Sequence, residues 1–198
     1  MSTVAVVYFS GTGHTRSLAQ SVATGAAGVE GTKTDLIAIE GRDIREGRWR
    51  NDEILGRLEA AGAIIFGSPT YMGSVSGQME CFLDATAELW MTRDWRDKVA
   101  SAFTVSGSPC GDNYNTLVRF ATFAMQQGMI WVGLGYIPGA DGLNRLGLSF
   151  GAAGQAMHEP PEEAPNGADR RTGEALGRRV AEIAMKLSSV DVSQEQVN

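Results

Sequence analysis

The sequence of 198 residues is poor in cysteine and histidine, with two of each. Cys81 and Cys110 are far apart and match neither a CxxC motif nor a zinc-ligand spacing. We therefore predict no metal site, and reduced thiols in a cytoplasm are the natural interpretation of two isolated cysteines.

Long apolar runs and an excess of positive charge are also missing. No run approaches the length of about 20 residues that spans a bilayer, and Met1–Ser10 lack the basic region of a signal peptide. The formal net charge is −6, whereas nucleic-acid binding depends on Lys and Arg meeting phosphates. We expect neither membrane insertion nor nucleic-acid binding, and predict a cytoplasmic protein.

Five short apolar runs alternate with segments of helical periodicity. Most runs are continuously apolar, which is typical of parallel strands covered on both faces. This rhythm predicts an α/β fold of three layers. The predicted strands are Val4–Phe9, Thr34–Ala38, Ala63–Phe66, Val99–Val105 and Met129–Val132.

The length and composition fit one domain. We predict a single domain over residues 1–188 and a polar tail over residues 189–198. Gly133–Arg170 is long, rich in Gly and Pro and weakly periodic, and loops of that length are usually functional or disordered. Its role stays open from the sequence.

A Gly- and hydroxyl-rich turn, Ser10–Thr15, separates the first strand from the first helix. Free amides and the helix dipole make such a turn an anion site, and Gly11 and Gly13 let a ligand approach the backbone. The turn is not a GxxxxGK[ST] loop, nor a GxGxxG loop, because residue 16 is Arg. A tight turn with an ordinary N-cap is the alternative.

The turn resembles the phosphate loop of flavodoxins, and His14, where many flavodoxins carry Asn, is similar to the tryptophan-repressor-binding-protein (WrbA) family of flavodoxin-like NAD(P)H:quinone oxidoreductases. The resemblance covers roughly residues 3–187. The further matching segments are Gly67–Met79 (GSPTYMGSVSGQM), Phe82–Asp84, Leu89–Trp90, Ser106–Gly111, Gly128–Met129 and Glu174–Gly177.

The resemblance implies a five-stranded parallel sheet of order 2-1-3-4-5 with a flavin mononucleotide (FMN) at its carboxyl edge. Ligands of such sheets lie where the strand order reverses, and the loops after strands one, three and four converge there. FMN rather than FAD is expected, since three short loops suit a mononucleotide. The predicted cofactor-binding residues are Ser10, Gly11, Thr12, Gly13, His14 and Thr15 at the phosphate, Pro69, Thr70, Tyr71, Met72 and Gly73 at the redox-active edge of the ring, and Ser106, Gly107, Ser108, Cys110, Gly111 and Asp112 at its pyrimidine end.

Several of these side chains have two interpretations. Tyr71 is either a neighbour of the flavin ring or an aromatic half-buried over the sheet edge. Asp112 either accepts a hydrogen bond from the ring or is an exposed turn residue, and Cys110 either has a redox role or fills a turn. His14 either bonds the phosphate, or presents an edge to a nicotinamide, or faces solvent.

Two residues are candidates for substrate contact. Trp90 matches a family Trp at the mouth of the site and is either a platform for a flat quinone or a core residue. Gln127 stands where relatives often carry a His that reaches the flavin of a neighbouring subunit. Gln does not titrate near neutrality, so proton delivery from this position is not expected.

The resemblance implies an FMN-dependent NAD(P)H dehydrogenase (quinone) that passes a hydride from NADH or NADPH to a quinone. Catalytic side chains are not predicted, because the flavin carries the chemistry. Nothing in the sequence marks recognition of a 2′-phosphate. The alternative function is an electron-transfer flavodoxin that passes single electrons between protein partners. The family resemblance also implies a homotetramer.

Overall fold

The apolar runs of the sequence form the central sheet of the computed structural model, which describes residues 2–195. The strands are β1 Ser2–Tyr8, β2 Thr32–Ala38, β3 Ile44–Arg45, β4 Arg48–Trp49, β5 Ala63–Tyr71, β6 Ser74–Val75, β7 Val99–Ser106, β8 Ile130–Trp131 and β9 Ala152–Gln155. The helices are α1 His14–Ala27, α2 Asp52–Glu59, α3 Gly77–Ala85, α4 Ala87–Thr92, α5 Asn113–Gln126 and α6 Gly167–Glu195.

The main sheet is parallel and has the order β2-β1-β5-β7-β8. In the numbering of the five predicted strands, this order is 2-1-3-4-5, so the predicted flavodoxin-like fold is confirmed. Strand order reverses beside β1, because the chain first adds β2 on one side and then β5 on the other. Two short additions, β6 and the separate hairpin β3–β4, were not predicted.

The fifth strand is interrupted, which the sequence did not predict. β8 pairs with the first part of β7 through Ile130 and Trp131, and β9 pairs with the last part through residues 152–155. β9 lies inside the segment predicted as a long loop. Its sequence, AAGQ, has no β-branched or aromatic residue, so it carries little of the usual signal of a strand. Small residues are required there, because a Cβ on Gly154 would lie 2.6 Å from Pro165.

Two hydrophobic clusters lie on opposite faces of the sheet. One contains Leu18 and Val22 of α1 and Leu176 and Val180 of α6. The other contains buried residues of α2, α3 and α5. Each β-strand residue of the core therefore packs on one helical layer, which is the predicted arrangement of three layers.

Helix α6 extends to Glu195, so the polar segment predicted as a tail is helical in its described part; residues 196–198 lie outside the described residues. The division into a domain and a tail stays a prediction. Within residues 2–195, no helix combines the length and the apolar character that a membrane span requires.

Candidate functional site

The loops that follow β1, β5 and β7 all lie at the carboxyl edge of the sheet. These three strands are adjacent and parallel, with Tyr8 opposite Gly67 and Pro69 opposite Val105. The predicted cofactor-binding residues lie in these loops or at the adjoining ends of β5, β7 and α1. The sheet thus brings these residues together at the point where strand order reverses, the usual ligand position of this architecture.

The first loop is shaped by Ser10 and Gly13. The Ser10 hydroxyl oxygen accepts hydrogen bonds from the amides of Gly13 and Arg16 at 3.1 and 3.2 Å. Gly13 is the residue before α1 and has a φ of 98°. Because glycine has no side chain, Gly13 cannot cap the helix through a side-chain oxygen. Because α1 begins at His14, the amides of His14 and Thr15 have no acceptor within the helix. They are available to an anion, as the phosphate-loop prediction requires.

The two glycines of this loop lie under neighbouring side chains. A Cβ on Gly13 would be 2.7 Å from Pro161, and one on Gly11 would collide with the Tyr71 hydroxyl. A larger residue at either position would therefore displace a wall of the site. Because Gly11 and Gly13 have no side chains of their own, the adjoining amides can meet the phosphate of a mononucleotide directly, between the walls that Tyr71 and Pro161 form.

The second loop is the tight hairpin between β5 and β6. Tyr71 pairs with Ser74, and the two residues between them, Met72 and Gly73, have φ values of 49° and 82°. Positive φ at both central positions defines the turn that suits a twisted hairpin. Tyr71 is 43% exposed and Met72 is fully exposed. Both side chains consequently lie at the surface of the mouth.

Thr70 points the other way and anchors the second loop to the core. Its hydroxyl lies 2.8 Å from those of Thr104 and Thr116, and 3.3 Å from the side-chain oxygen of Asn113. The side chain of Thr70 therefore connects β5, β7 and α5. The Thr70 side chain thus fixes the hairpin to the core, and a contact of Thr70 with the cofactor stays a prediction.

The third loop runs from Ser106 to Asp112. The Ser106 hydroxyl donates to the carbonyl of Ser108 at 2.8 Å, and Gly111 and Asp112 have positive φ values of 41° and 54°. The carboxylate of Asp112 does not cap α5. A Cβ on Gly73 would lie 3.8 Å from that carboxylate, so the second and third loops meet. The exposed Cys110 is a free thiol.

A fourth loop, residues 156–165, completes the mouth and was missed in the sequence. It follows β9, and the amide of Ala156 donates to the Ser106 carbonyl at 3.0 Å. Met157 lies beside Gly107 of the third loop, and Pro161 covers Gly13 of the first. Length was the only signal for this loop: it belongs to the segment whose role stayed open.

His14 connects the first and fourth loops. Its Nε2 lies 2.8 Å from the Glu159 carbonyl, so Nε2 donates, and its Nδ1 lies 2.9 Å from the Thr12 hydroxyl, from which it accepts. Both ring nitrogens are engaged in a contact between two loops, which was not among the predicted roles of His14, and those roles stay predictions. The tautomer is assigned from these partners.

Glu159 organises the fourth loop. Its carboxylate accepts hydrogen bonds from the amides of Met157 and His158 at 2.9 and 3.0 Å. Hydrogen bonds from the backbone amides of Glu159 itself, Met157 and His158 lower the pKa of the Glu159 carboxyl from its usual value. The carboxylate is ionised near neutrality and holds the turn that places Pro161 over Gly13.

Trp90 and Gln127 do not join this mouth within one chain. Trp90 lies at the end of α4 and Gln127 directly follows α5, and both elements end near the beginning of β7 or β8. Seven residue steps along β7 separate the two edges, about 23 Å. Both residues consequently lie at the amino edge of the sheet, and their assignment as substrate contacts stays a prediction.

The amino edge carries a groove of about 420 Å³ lined by Trp90, Met91, Arg93, Met125 and Gln127, among others. The first two and Met125 are exposed by 45%, 72% and 56%. Gln127 is buried, and its Nε2 donates to the Thr86 hydroxyl at 2.8 Å. Among the described residues, the Gln127 side-chain oxygen has no hydrogen-bond partner.

The carboxyl edge suits a flavin better than a metal or an acid–base centre. In the described part of the chain, no group of three or more His, Cys, Asp and Glu side chains is placed to hold a metal ion. The four loops instead present backbone amides, hydroxyls, glycines and Tyr71. Fold and site together define a flavodoxin-like domain with a mononucleotide site.

Comparison with known proteins agrees with this class. The family model of NADPH-dependent FMN reductase matches residues 4–137. The flavodoxin FldP of Pseudomonas aeruginosa is 40% identical over 195 residues, covering 94% of this chain and 99% of that protein. An NAD(P)H dehydrogenase (quinone) of Archaeoglobus fulgidus is 37% identical over 200 residues, covering 94% and 100%.

Among solved structures, a WrbA-like flavodoxin from Agrobacterium tumefaciens is similar, with a TM-score of 0.74 and 37% sequence identity over 94% of this chain and 99% of that one. The chain belongs to the NADPH-dependent FMN reductase family. The predicted family resemblance is therefore confirmed, and with it an enzyme class that uses FMN and a nicotinamide donor.

Proposed function

We propose that this protein is an FMN-dependent NAD(P)H:quinone oxidoreductase that reduces quinones by two-electron transfer. The observation that carries the proposal is the convergence of the loops after β1, β5 and β7 at one edge of the sheet. Their amides, hydroxyls and glycines suit a flavin phosphate at one end and a flat ring at the other. The curated relative from Archaeoglobus fulgidus supports a quinone as the acceptor.

Bound FMN supplies the chemistry, since a flavin takes a hydride from a reduced nicotinamide and passes two electrons to a quinone. The chain's own residues position it. The amides of His14 and Thr15 bind the phosphate, and the amides of the loop Ser106–Asp112 stabilise negative charge at the pyrimidine end. The exposed Tyr71 and Met72 form one wall of the opening where a flat substrate stacks.

No side chain is proposed as an obligatory acid or base. Asp112 and Cys110 are exposed, and both nitrogens of His14 are engaged in contacts between loops. Proton exchange with solvent is sufficient at such an open mouth. Steady-state assays test the function: oxidation of NADH or NADPH should depend on added benzoquinone and on bound FMN. Absence of quinone-dependent turnover in FMN-saturated protein contradicts the proposal.

The second candidate is an electron-transfer flavodoxin. It is favoured by the 40% identity to the flavodoxin FldP and by the net charge of −6, which suits a basic protein partner. Anaerobic titration with dithionite separates the two. A single-electron carrier accumulates flavin at the one-electron level, whereas a hydride-transferring reductase passes from oxidised to fully reduced flavin.

We further propose a homotetramer in which the amino edge of one chain faces the flavin site of another. The exposed apolar side chains of Trp90, Met91 and Met125 support this, because apolar patches beside a groove usually mark interfaces. In that arrangement the exposed Trp90 contacts substrate in a neighbouring site. Gln127 is buried in the single chain, so its predicted contact with substrate requires that its side chain becomes accessible in the assembly. Closed symmetry lets identical surfaces cover one another. Sedimentation across a wide concentration range tests the assembly.

A cytoplasmic location is part of the same proposal. Cys81 and Cys110 are both free thiols, and a reducing compartment preserves them. Fractionation of cells that express the tagged chain tests the location, and recovery of the protein outside the cytoplasm contradicts it.

A further inference from the structure

The hairpin β3–β4 concentrates arginine beside the carboxyl edge. It follows β2, whose end is tied to β1 by a hydrogen bond from the Ile39 amide to the Tyr8 carbonyl at 2.7 Å. Tyr8 in turn lies two residues before the phosphate loop. The hairpin is thus the next segment along this edge from that loop, on the side away from the third loop.

Strand alternation places three arginines of the hairpin on one face. Ile44 pairs with Trp49, and Arg45 pairs with Arg48. Trp49 is buried against Phe82 of α3, with ring centroids 5.1 Å apart. Because successive side chains of a strand point to opposite sides, Arg45 and Arg48 point outward. Arg50 continues the alternation, so its side chain shares that outer face.

These arginines lack the partners that would neutralise them. Arg42 forms an ion pair with Glu40 at 2.8 Å. Among the described residues, the ion pairs within 4 Å do not include Arg45, Arg48 or Arg50. Like charges directly opposite on paired strands destabilise a hairpin. Arg45 and Arg48 have this arrangement, and no ion pair among the described residues compensates it.

The same arginines line a cavity of about 440 Å³, together with Arg42, Asp43 and Glu46. Because Arg42 is paired with Glu40, three guanidinium groups without an ion pair share this cavity with two carboxylates. One of the carboxylates, Asp43, already accepts a hydrogen bond from Asn51 at 3.1 Å. The excess of positive charge stands out in a chain with a net charge of −6. The planar guanidinium group matches phosphate oxygens with two parallel hydrogen bonds.

We propose that Arg45, Arg48 and Arg50 bind the 2′-phosphate of NADPH and make it the preferred nicotinamide donor. This inference rests on the proposed function, because it assigns the hairpin to the adenosine half of a donor whose nicotinamide lies at the flavin site. NADH differs from NADPH only by lacking that phosphate, and an arginine near the ribose is the usual means of accommodating it.

A binding experiment without turnover tests the site. Isothermal titration of the purified protein compares adenosine 2′,5′-bisphosphate with adenosine 5′-monophosphate. We expect the bisphosphate to bind at least tenfold more tightly, and the triple variant Arg45→Gln, Arg48→Gln, Arg50→Gln to remove that difference. The control Arg178→Gln, Lys186→Gln removes two exposed positive charges of α6, away from the hairpin and from the amino-edge groove, and should leave it unchanged.

Equal binding of the two nucleotides by the original protein overturns the inference, as does a difference that survives in the triple variant. If the triple variant loses affinity equally for both nucleotides, the hairpin is a general anion-binding surface, such as one for an acidic protein, and the inference is also overturned. Circular dichroism and the melting temperature verify that the variants fold. Steady-state kinetics give a second measure: kcat/KM for NADPH should fall about tenfold or more, and that for NADH less than twofold.

The two proposals fail in different ways. If neither nicotinamide reduces the flavin but the bisphosphate still binds through the hairpin, the proposed function is wrong and the phosphate site stands. If both nicotinamides reduce the flavin equally well and the bisphosphate has no advantage, the function stands and the phosphate site is wrong.

Discussion

The two edges of the sheet differ in chemistry although the same strands end in both. The carboxyl edge consists of irregular loops with polar backbone, hydroxyls and left-handed residues such as Gly13 and Met72. The amino edge carries exposed Trp90, Met91 and Met125 around the buried Gln127. The first edge is suited to a small charged ligand, and the second to another apolar surface.

This difference separates the features that suit ligand binding from those that suit contact between subunits. A mononucleotide needs amides, which are free only where strands and helices begin or end. An interface needs apolar area, which the short helix α4 exposes without weakening the core. Since the two surfaces are about 23 Å apart along β7, the proposed contact of Trp90 with substrate requires the assembly proposed above.

The largest effect should follow from changing the carboxyl edge at Gly13. In Gly13→Val, the new side chain collides with Pro161 and opposes the φ of 98°. We expect FMN affinity to fall by about 100-fold, which corresponds to about 2.7 kcal/mol. Fluorescence titration of the apoprotein with FMN measures the loss.

Gly139→Val is the matched control for that variant. Gly139 has a φ of 78°, and a Cβ there meets nothing within 4 Å. It carries the same backbone strain away from the predicted phosphate, so it should retain FMN affinity within about threefold. Unchanged affinity in Gly13→Val would exclude the phosphate-loop assignment.

The amino edge is tested by Trp90→Ala. A half-exposed Trp in an interface is a frequent hot spot, and its truncation costs about 2 kcal/mol. The subunit concentration at which the assembly half-dissociates should rise about 30-fold, with activity lost over the same range. Sedimentation velocity with parallel assays measures both.

Ile137→Ala serves as the comparison for Trp90→Ala, since Ile137 is 76% exposed and does not line the groove. It should leave assembly unchanged. Mixing Trp90→Ala with Gly13→Val sharpens the test. In a mixed assembly, some sites combine the intact carboxyl edge of a Trp90→Ala chain with the intact amino edge of a Gly13→Val chain, so mixing should restore part of the activity. A monomer of the original protein that stays fully active at nanomolar concentration would refute completion across subunits.

A smaller effect is expected inside the carboxyl edge, at Thr70. Thr70→Val retains the shape of the side chain but removes hydrogen bonds to Thr104 and Thr116. The buried Thr116 hydroxyl loses its partner, while the Thr104 hydroxyl keeps its bond to the Ser68 carbonyl. The free energy of unfolding should therefore fall by about 1.5 kcal/mol. Urea denaturation of the apoprotein measures the change. Thr122→Val removes only a bond to its own helix, and a loss as large as that of Thr70→Val would contradict the anchoring role.

The smallest effect concerns the fourth loop. In Glu159→Gln the amides of Met157 and His158 lose a charged acceptor, and FMN should dissociate about twofold faster near neutrality. Backbone hydrogen bonds lower the pKa of Glu159 from 4.5. The ionised carboxylate therefore stabilises the fourth loop fully above pH 4.5, and this stabilisation is lost as the pH falls through the lower pKa of the folded protein.

Stopped-flow release of FMN at several pH values measures this contribution. In the original protein release should accelerate below pH 4.5, and the rate of the variant should depend less on pH. Equal pH dependence in both proteins would mean that Glu159 does not hold the fourth loop closed.

Much of the fold was predictable because its signals are local. Continuous apolar runs such as Ala63–Phe66 mark buried strands, and the Ser10–Thr15 turn lies between a strand and a helix. β9 was not predictable, since close packing against Pro165 selects small residues that have no strand propensity. Nor was the inward direction of Thr70, which depends on partners 34 and 46 residues away.

In the site, as in the fold, features with a local sequence signal were predicted and features that depend on distant contacts were not. The backbone parts of the site were predicted from turn chemistry, whereas the contact of His14 with Glu159 joins residues 145 positions apart and has no sequence signal. The sequence shows several arginines close together between residues 42 and 50. Only the pairing of Arg45 with Arg48 and the burial of Trp49 show that the arginines share a face.

Anaerobic stopped-flow spectroscopy tests the central claim most directly. FMN-loaded protein is mixed first with one equivalent of NADPH and then with one equivalent of benzoquinone. The account predicts that the oxidised flavin spectrum disappears and then returns completely, with little flavin at the one-electron level in either step. Failure of both NADPH and NADH to reduce the flavin, or accumulation of one-electron-reduced flavin on reaction with the quinone, would contradict it.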